Sequence, residues 1–181
     1  MNLKKYLYEI TESQFGANTS AGAKGDIPCV QGRDFNSDGV YIASEPQFVP
    51  HAALKYTRPL EVHDVLFSTK GKFYSAVWYN QVPGAIATGT FIILKVTHSS
   101  ILPEYLAIYL NSSKAKKYYD QHIKAATVVH IGKKQLEQME IEIPPIQRQK
   151  AIINVHNLLV EEKTLMKELA QKKEKIFNSI I

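Results

Sequence analysis

The stretch from residue 146 to residue 181 contains neither Gly nor Pro. A helix rises about 1.5 Å per residue, so a helix over most of this stretch would be about 50 Å long. That length exceeds the diameter of a small domain. We therefore expect a globular part followed by a helix that projects beyond it.

A heptad repeat of apolar residues runs along this helix, and seven of its nine a and d positions are apolar. These seven, which we predict to form a dimerisation seam, are Ile152, Leu159, Met166 and Ile180 at a positions, and Val155, Leu169 and Ile176 at d positions. A narrow stripe over about four heptads is typical of a coiled coil. The polar exceptions, Glu162 and Lys173, could meet in an antiparallel pairing that crosses near residue 167 or 168. The alternative is an ordinary helix packed on a core.

The residues before this helix predict an α+β domain with an irregular, mostly antiparallel sheet and flanking helices. Short β-type runs at 27–30, 41–42, 65–68, 76–79 and 91–96 are separated by Gly, Pro, Asn and Asp. Residues 13–26 carry three glycines and small polar residues, which indicates a loop.

Helical periodicity appears in four further places. Leu3, Leu7 and Ile10 suggest a short amphipathic helix, and Pro103 begins a second one that extends to Leu110. The other two cover 113–123 and 133–139, and a β-like run at 140–143 follows. We therefore divide the chain into a globular domain, 1–143, and a helix, 144–181.

Composition is that of an ordinary globular protein, with 45% apolar and 22% charged residues. No stretch approaches ~18 consecutive apolar residues, so no membrane-spanning helix is expected. The apolar positions near the N-terminus are interrupted too soon for a secretory signal, and we expect a cytoplasmic protein. Cys29 is the single cysteine, which excludes an internal disulfide.

The net charge of +5 is concentrated in one segment. Residues 1–90 hold eight Lys or Arg and eight Asp or Glu, and 8 − 8 = 0. Residues 113–134, the basic segment, hold six Lys and one Asp, and 6 − 1 = +5. Such a segment is either a solvated helix face or a surface that contacts the phosphates of a nucleic acid.

Common catalytic patterns are not found in the sequence. The run 84–90 has two glycines but lacks the Lys of a P-loop. The run 143–146 lacks the polar and aromatic residues of the amino-methyltransferase motif. The six His residues include no pair with zinc-site spacing. We therefore expect no catalytic residue, no metal and no cofactor.

Four short motifs follow one another along the chain. The first is 25–30 with Asp34, and the second is Asp64-Val65-Leu66-Phe67-Ser68 followed by Gly71. The third is Pro103-Glu104-Tyr105-Leu106 with Leu110-Asn111-Ser112. The fourth comprises Ile131-Gly132, Leu136, the run Ile141-Glu142-Ile143-Pro144-Pro145-Ile146, Gln149 and Ile152.

In this order the motifs resemble the DNA-specificity subunits of type I restriction-modification systems. Full-length members of that family carry two target-recognition domains and two spacer helices, whereas this sequence has room for one of each. The resemblance therefore implies a half-subunit, 1–143 being the recognition domain and 144–181 the spacer. Arg148 departs from the family, which usually has Glu there.

The resemblance also implies partners. These are double-stranded DNA, methyltransferase and restriction subunits, and a second copy or second half-subunit paired through an antiparallel coiled coil. The chain would direct its partners to a bipartite site without catalysing a reaction itself. A structural or adaptor protein that uses the helix to bind another protein is the main alternative, and a nucleic-acid enzyme with an unrecognised site is another.

We predict two groups of DNA-binding residues. Lysines of the basic segment would contact phosphates, and residues of loops would read base edges, because Lys and Arg donate to guanine while Thr and Tyr offer hydroxyl or apolar surface. The phosphate-contacting candidates are Lys114, Lys116, Lys117, Lys124, Lys133 and Lys134. The base-reading candidates are Lys24, Arg33, Lys70, Lys72, Tyr74 and Thr88.

Overall fold

A computed structural model describes residues 2–18, 25–36, 38–70, 73–123 and 130–180. Its strands are β1 (Leu3–Tyr6), β2 (Thr11–Phe15), β3 (Ile27–Val30), β4 (Gln47–Val49), β5 (Val65–Ser68), β6 (Ser75–Val77), β7 (Ile86–Ala87), β8 (Phe91–Val96) and β9 (Glu140–Ile143). Its α-helices are α1 (Leu7–Ile10), α2 (Pro103–Leu110), α3 (Ser113–Ile123), α4 (Lys133–Glu137) and α5 (Ile146–Ile180). Short 3₁₀ helices cover Gly32–Asp34 and His51–Tyr56.

The strands form three small sheets. The largest has the order β2-β8-β5-β6 and is antiparallel throughout. A second has the order β4-β3-β7, in which β3 and β7 are parallel, and β1 pairs with β9 in the third. The α+β class with mostly antiparallel sheets and a long C-terminal helix is therefore confirmed.

Side chains alternate between the two faces of the four-stranded sheet, and both faces are covered. Val65, Phe67 and Ile92 lie in a core that includes residues of α1, α2, α3 and α4. Leu66 and Ile93, on the opposite face, pack in a second core with Trp78, Phe35 and Phe91. Because successive residues of a strand point to opposite faces, the continuous apolar runs of β5 and β8 supply both cores.

The N-terminal prediction was largely wrong. The helix is only the four-residue α1, and Leu3 lies in a strand, opposite Ile143 of β9. Thr11–Phe15 is also a strand, so the predicted loop begins only after Phe15. Both strands form because distant segments supply their hydrogen-bonding partners, which a local helical spacing does not reveal.

Other predictions match more closely. The strands 27–30, 65–68 and 91–96 and the helices 103–110 and 113–123 have the predicted bounds. At 41–42 there is only an isolated bridge between Phe35 and Tyr41. The helix predicted over 133–139 ends at Glu137, and beyond it the carbonyl oxygen of Met139 accepts from the backbone N–H of Leu7 at 2.9 Å, next to the pairing of β9 with β1.

Helix α5 is continuous, and only its beginning packs on the domain. Gln149 is fully buried, and Ile152 and Ile153 pack against the core that contains α2. Further along, Lys163 Nζ lies 2.6 Å from Asp38 Oδ1 of the domain. Beyond that ion pair the described residues of α5 are exposed. No described helix combines the length and hydropathy that crossing a membrane requires.

Candidate nucleic-acid interface

Several connecting segments meet at one end of the four-stranded sheet. Because its strands are antiparallel, the ends of β2 and β5 lie beside the beginnings of β6 and β8. The end of β3 joins them, since the N–H of Thr88 donates to the carbonyl oxygen of Val30 at 3.0 Å. We call this region the loop end and define it as residues 16–18, 30–34, 69–70, 73–74, 88–90 and 130–131.

Backbone hydrogen bonds hold the loop end together. The N–H and Oγ1 of Thr69 both donate to the carbonyl oxygen of Thr90, each at 2.9 Å. The N–H of Gly89 donates to the carbonyl oxygen of Ala17 at 2.6 Å, and the N–H of Ile131 donates to the carbonyl oxygen of Thr69 at 3.3 Å. Gly16 packs so closely that a Cβ there would lie 2.2 Å from the carbonyl oxygen of Thr88. The segments therefore form a rigid platform.

Exposed cations lie on segments of this platform and in the helix next to it. Lys70 is exposed and forms a β-bridge with His130, three residues before Lys133 at the start of α4. Lys134 is exposed as well, whereas Lys133 is half-buried, with its Nζ 3.7 Å from Glu137. Arg33 projects from the 3₁₀ helix on the neighbouring segment. The fold thus brings the segments that carry Arg33 and Lys70, which are distant in sequence, to the same end of the sheet.

Tyr74 and Thr88 lie inside the platform, with 8% and 5% of their surfaces exposed. The hydroxyl of Tyr74 donates to the carbonyl oxygen of Gly32 at 2.8 Å, which ties the Arg33 segment to the segment after β5. Thr88 Oγ1 lies 2.9 Å from Thr90 Oγ1. Because both hydroxyls are buried and engaged, these two predicted base contacts instead hold the platform together.

Helix α3 carries three of the predicted phosphate contacts in two different environments. Lys116 and Lys117 are exposed and form no ion pair with any described residue. Lys114 instead pairs with Glu142 of β9, and this hydrogen bond raises the pKa of Lys114 and lowers the pKa of Glu142. The three lysines are therefore not equivalent.

Helix α3 is fixed to its neighbours by tyrosines. Tyr118 donates to the carbonyl oxygen of Gln135 in α4 at 2.7 Å, and the buried Tyr119 donates to Leu110 of α2 at 2.9 Å. The Tyr119 ring also packs against Phe67 and Phe73 beside the loop end. The positions of Lys116 and Lys117 are thus set by the core.

Three predicted DNA contacts, Lys24, Lys72 and Lys124, lie outside the described residues, as does Gly71 of the second motif. In the part of the chain that the structure covers, no group of three His, Cys, Asp or Glu side chains could hold a metal ion.

Comparison with known families identifies the chain. The family described as the type I restriction modification DNA specificity domain matches residues 22–175. The chain belongs to this family. No sequence among curated proteins matches the chain significantly.

Solved structures show the same fold for this specificity domain. It is similar to a chain from a structure concerning complex assembly and conformational transition of the type I R-M system, with a TM-score of 0.62 and 18% identity, covering 96% of this chain and 42% of that one. The HsdS subunit from Thermoanaerobacter tengcongensis is similar with a TM-score of 0.58 and 16% identity, and the match covers 93% of this chain and 39% of that one. The type I system S subunit from M. genitalium is similar with a TM-score of 0.57 and 17% identity, and the match covers 94% of this chain and 42% of that one. The chain therefore spans about two fifths of these relatives.

Helix α5 of the specificity domain exposes the predicted seam. Ile152 is half-buried against the core, whereas the other six seam residues have between 53% and 79% of their surfaces exposed. Large exposed apolar residues on a projecting helix promote association or aggregation unless another chain covers them.

Three further exposed apolar side chains flank the seam and were not predicted. Leu158 and Leu165, both at g positions, are 64% and 58% exposed, and Phe177, at an e position, is 65% exposed. A search for apolar residues beside the a and d positions would have found them. They make the apolar stripe wider than a minimal coiled-coil seam.

Proposed function

We propose that the chain is the DNA-recognition part of a type I specificity subunit and binds duplex DNA with the loop end and α3. The supporting observation is that the exposed Arg33 and Lys70, far apart in sequence, lie on segments that hydrogen bonds join at the loop end, with the exposed Lys134 in the helix that follows residue 131. Protein–DNA affinity comes mainly from cations that neutralise phosphates, so a rigid basic surface suits this role.

Phosphate and base contacts are divided between the two parts of this surface. The exposed Lys116, Lys117 and Lys134 set the register on the phosphate backbone, with Lys114, Lys124 and Lys133 in support. Arg33 and Lys70 read base edges, together with Lys24 and Lys72, because Arg and Lys donate to guanine O6 and N7 in the major groove.

Residues 1–143 form the target-recognition domain and residues 144–181 the spacer. Two copies, or this chain and a second half-subunit, pair through antiparallel α5 helices, an arrangement that places the contact on the same surface of each copy. The recognition domains then lie at opposite ends of a rod, which measures the distance between two half-sites. The complex directs methyltransferase and restriction subunits to this site, and the methyltransferase flips and methylates an adenine.

The test is a selection from a random duplex library with the chain bound to the methyltransferase subunits of a type I system from the same genome. The proposal expects enrichment of an inverted repeat whose half-sites have a fixed spacing. A variant with Arg33→Ala and Lys70→Ala should lose the enriched sequence, whereas Lys172→Ala with Lys175→Ala on the distal part of α5 should retain it.

The same selection separates the alternatives. Enrichment of no sequence, with retained binding to the methyltransferase, would contradict DNA recognition and favour an adaptor. A product formed from DNA by the chain alone would favour an enzyme. Enrichment of one continuous site, without two spaced half-sites, would contradict the arrangement of two recognition domains at opposite ends of a rod.

A further inference from the structure

One side of α5 faces its own recognition domain, and the heptad identifies it as the e side. Gln149, His156 and Lys163 occupy successive e positions. Gln149 is buried, His156 lines the cleft between α5 and α2, and Lys163 pairs with Asp38 of the domain. A partner helix that packs on the a and d positions therefore lies next to this domain along its e side.

An apolar groove of about 490 Å³ lies where the seam meets the domain. It is lined by Ile108 of α2 and, on α5, by Arg148, Ala151, Ile152, Val155, His156 and Leu159. Ile108 is half-exposed, and it is the one apolar residue of α2 that does not join a core cluster. The groove thus extends the seam from the helix onto the domain.

The two polar residues of the seam select one register for a second copy. An antiparallel pairing in which Glu162 faces Lys173 forms this ion pair twice. A parallel pairing places Glu162 against Glu162 of the second copy, which repels. Shifting the antiparallel register by one heptad sets Glu162 against Met166 and Lys173 against Val155, so both charges lose their partners.

In the selected register the distal end of one α5 reaches the groove of the other copy. Leu159 then faces Ile176 of the second copy, and Val155 faces Ile180. Residues at e positions meet across the same edge of an antiparallel coil, which sets Phe177 of the second copy opposite His156. This edge is the one that faces the recognition domain.

We propose that the apolar groove is the docking site for Phe177, Ile176 and Ile180 of a second copy, with Phe177 between His156 and Ile108. The proposal rests on the antiparallel pairing proposed above. Its occupant is a copy of this chain because Ile176, Phe177 and Ile180 are 60%, 65% and 79% exposed, and because the charges select this register. Each recognition domain is then held by both helices, so the partner helps to fix its orientation on the rod.

The experiment is disulfide cross-linking between differently tagged copies. One copy carries Ile108→Cys and the other Phe177→Cys, and the proposal expects a linked heterodimer after mild oxidation, since a disulfide requires Cβ atoms about 3.5–4.5 Å apart. The matched control pairs Ile108→Cys with Ser179→Cys, whose g position lies on the opposite edge of the coil. The native Cys29 is buried and is retained in every variant.

A separate pair tests the coil itself. Glu162→Cys in one copy and Lys173→Cys in the other should link, and the remaining Lys173–Glu162 pair keeps the register. If this pair links but Ile108→Cys with Phe177→Cys does not, the docking site is overturned and the antiparallel coil stands. If neither links, the coil and the docking site both fail. Equal linking to Ser179→Cys would also overturn the proposal.

Discussion

The side-chain amide of Gln149, in the first turn of α5, donates a hydrogen bond to the carbonyl oxygen of Ser100 at 2.7 Å. The same Nε2 donates to Pro144 at 2.8 Å, and Oε1 accepts from the N–H of Leu102 at 2.9 Å. One buried side chain thus joins three chain segments: α5, the turn before α2 and the residue that follows β9.

Gln149→Ala should therefore destabilise the protein strongly. It leaves one N–H and two carbonyl oxygens of the backbone without these partners, and we expect a loss of about 2–4 kcal/mol in the free energy of unfolding. Urea denaturation measures it. The control is Gln147→Ala, an exposed position on the same helix, which should change the free energy by less than about 0.5 kcal/mol. Equal effects at both positions would contradict the role of Gln149.

Lys114→Ala and Lys117→Ala should differ in their effect on DNA binding. Lys117 is an exposed cation without an ion pair among the described residues, so its loss should reduce the slope of log affinity against log salt by ~0.9. Lys114 is held by Glu142, and its loss should reduce the slope by clearly less. Fluorescence anisotropy at four salt concentrations measures both slopes. A larger reduction for Lys114→Ala would rule out this assignment.

The sequence predicted elements whose signals are local and failed where pairing is distant. Pro103 and the apolar period locate α2, and the run of β-branched and aromatic residues locates β8. The strand at Leu3–Tyr6 exists because it pairs with β9, which lies more than 130 residues later in the sequence but is its neighbour in the sheet. No local period carries that information.

The candidate site shows the same division. Lysines of α3 could be identified from charge alone, whereas the meeting of Arg33 and Lys70 at the loop end depends on three-dimensional contacts. The chemistry of Tyr74 predicts a base contact, yet in the folded chain its buried hydroxyl donates to the carbonyl oxygen of Gly32. Residue type predicts which contacts are chemically available, and packing determines which groups remain exposed.

Asn111 should be required to cover the edge of the four-stranded sheet. Its side chain accepts from the N–H of Ser75 at 2.6 Å and donates to the carbonyl oxygen of Ser75 at 2.8 Å, as a neighbouring strand would. Asn111→Asp removes the donor and places a charge beside that carbonyl oxygen. We expect a loss of about 1–3 kcal/mol in urea denaturation, and almost none for the exposed control Asn154→Asp. Unchanged stability of Asn111→Asp would contradict this role.

Cys29 should resist alkylation in the folded protein. Burial, with a contribution from the Asp34 carboxylate, raises the pKa of its thiol to about 11. The thiolate is the reactive form, so iodoacetamide at pH 8 should label the native protein far more slowly than the urea-unfolded protein, as mass spectrometry would measure. Equal labelling rates would refute the burial.

The raised pKa of Cys29 also predicts a pH dependence of stability. The folded thiol holds its proton more tightly than the unfolded thiol, whose pKa is about 8.5. Its contribution is therefore complete below about pH 8.5 and is lost as the pH rises toward about 11. Urea denaturation from pH 8 to pH 10.5 should show a decline that is smaller in Cys29→Ala. An identical decline in both proteins would exclude the thiol as its source.

Leu159→Asp combined with Leu169→Asp should shift the protein from dimer to monomer. Both side chains are more than half exposed in the single chain, at 57% and 53%, so the change costs little within one copy. In the paired helices, however, it buries carboxylates in an apolar seam, which is expensive. Sedimentation velocity measures the shift, and Lys167→Asp with Gln171→Asp, at b and f positions outside the seam, should remain dimeric. A wild-type chain that is monomeric at high concentration would contradict the pairing, because the seam would then have no copy of this chain to cover it.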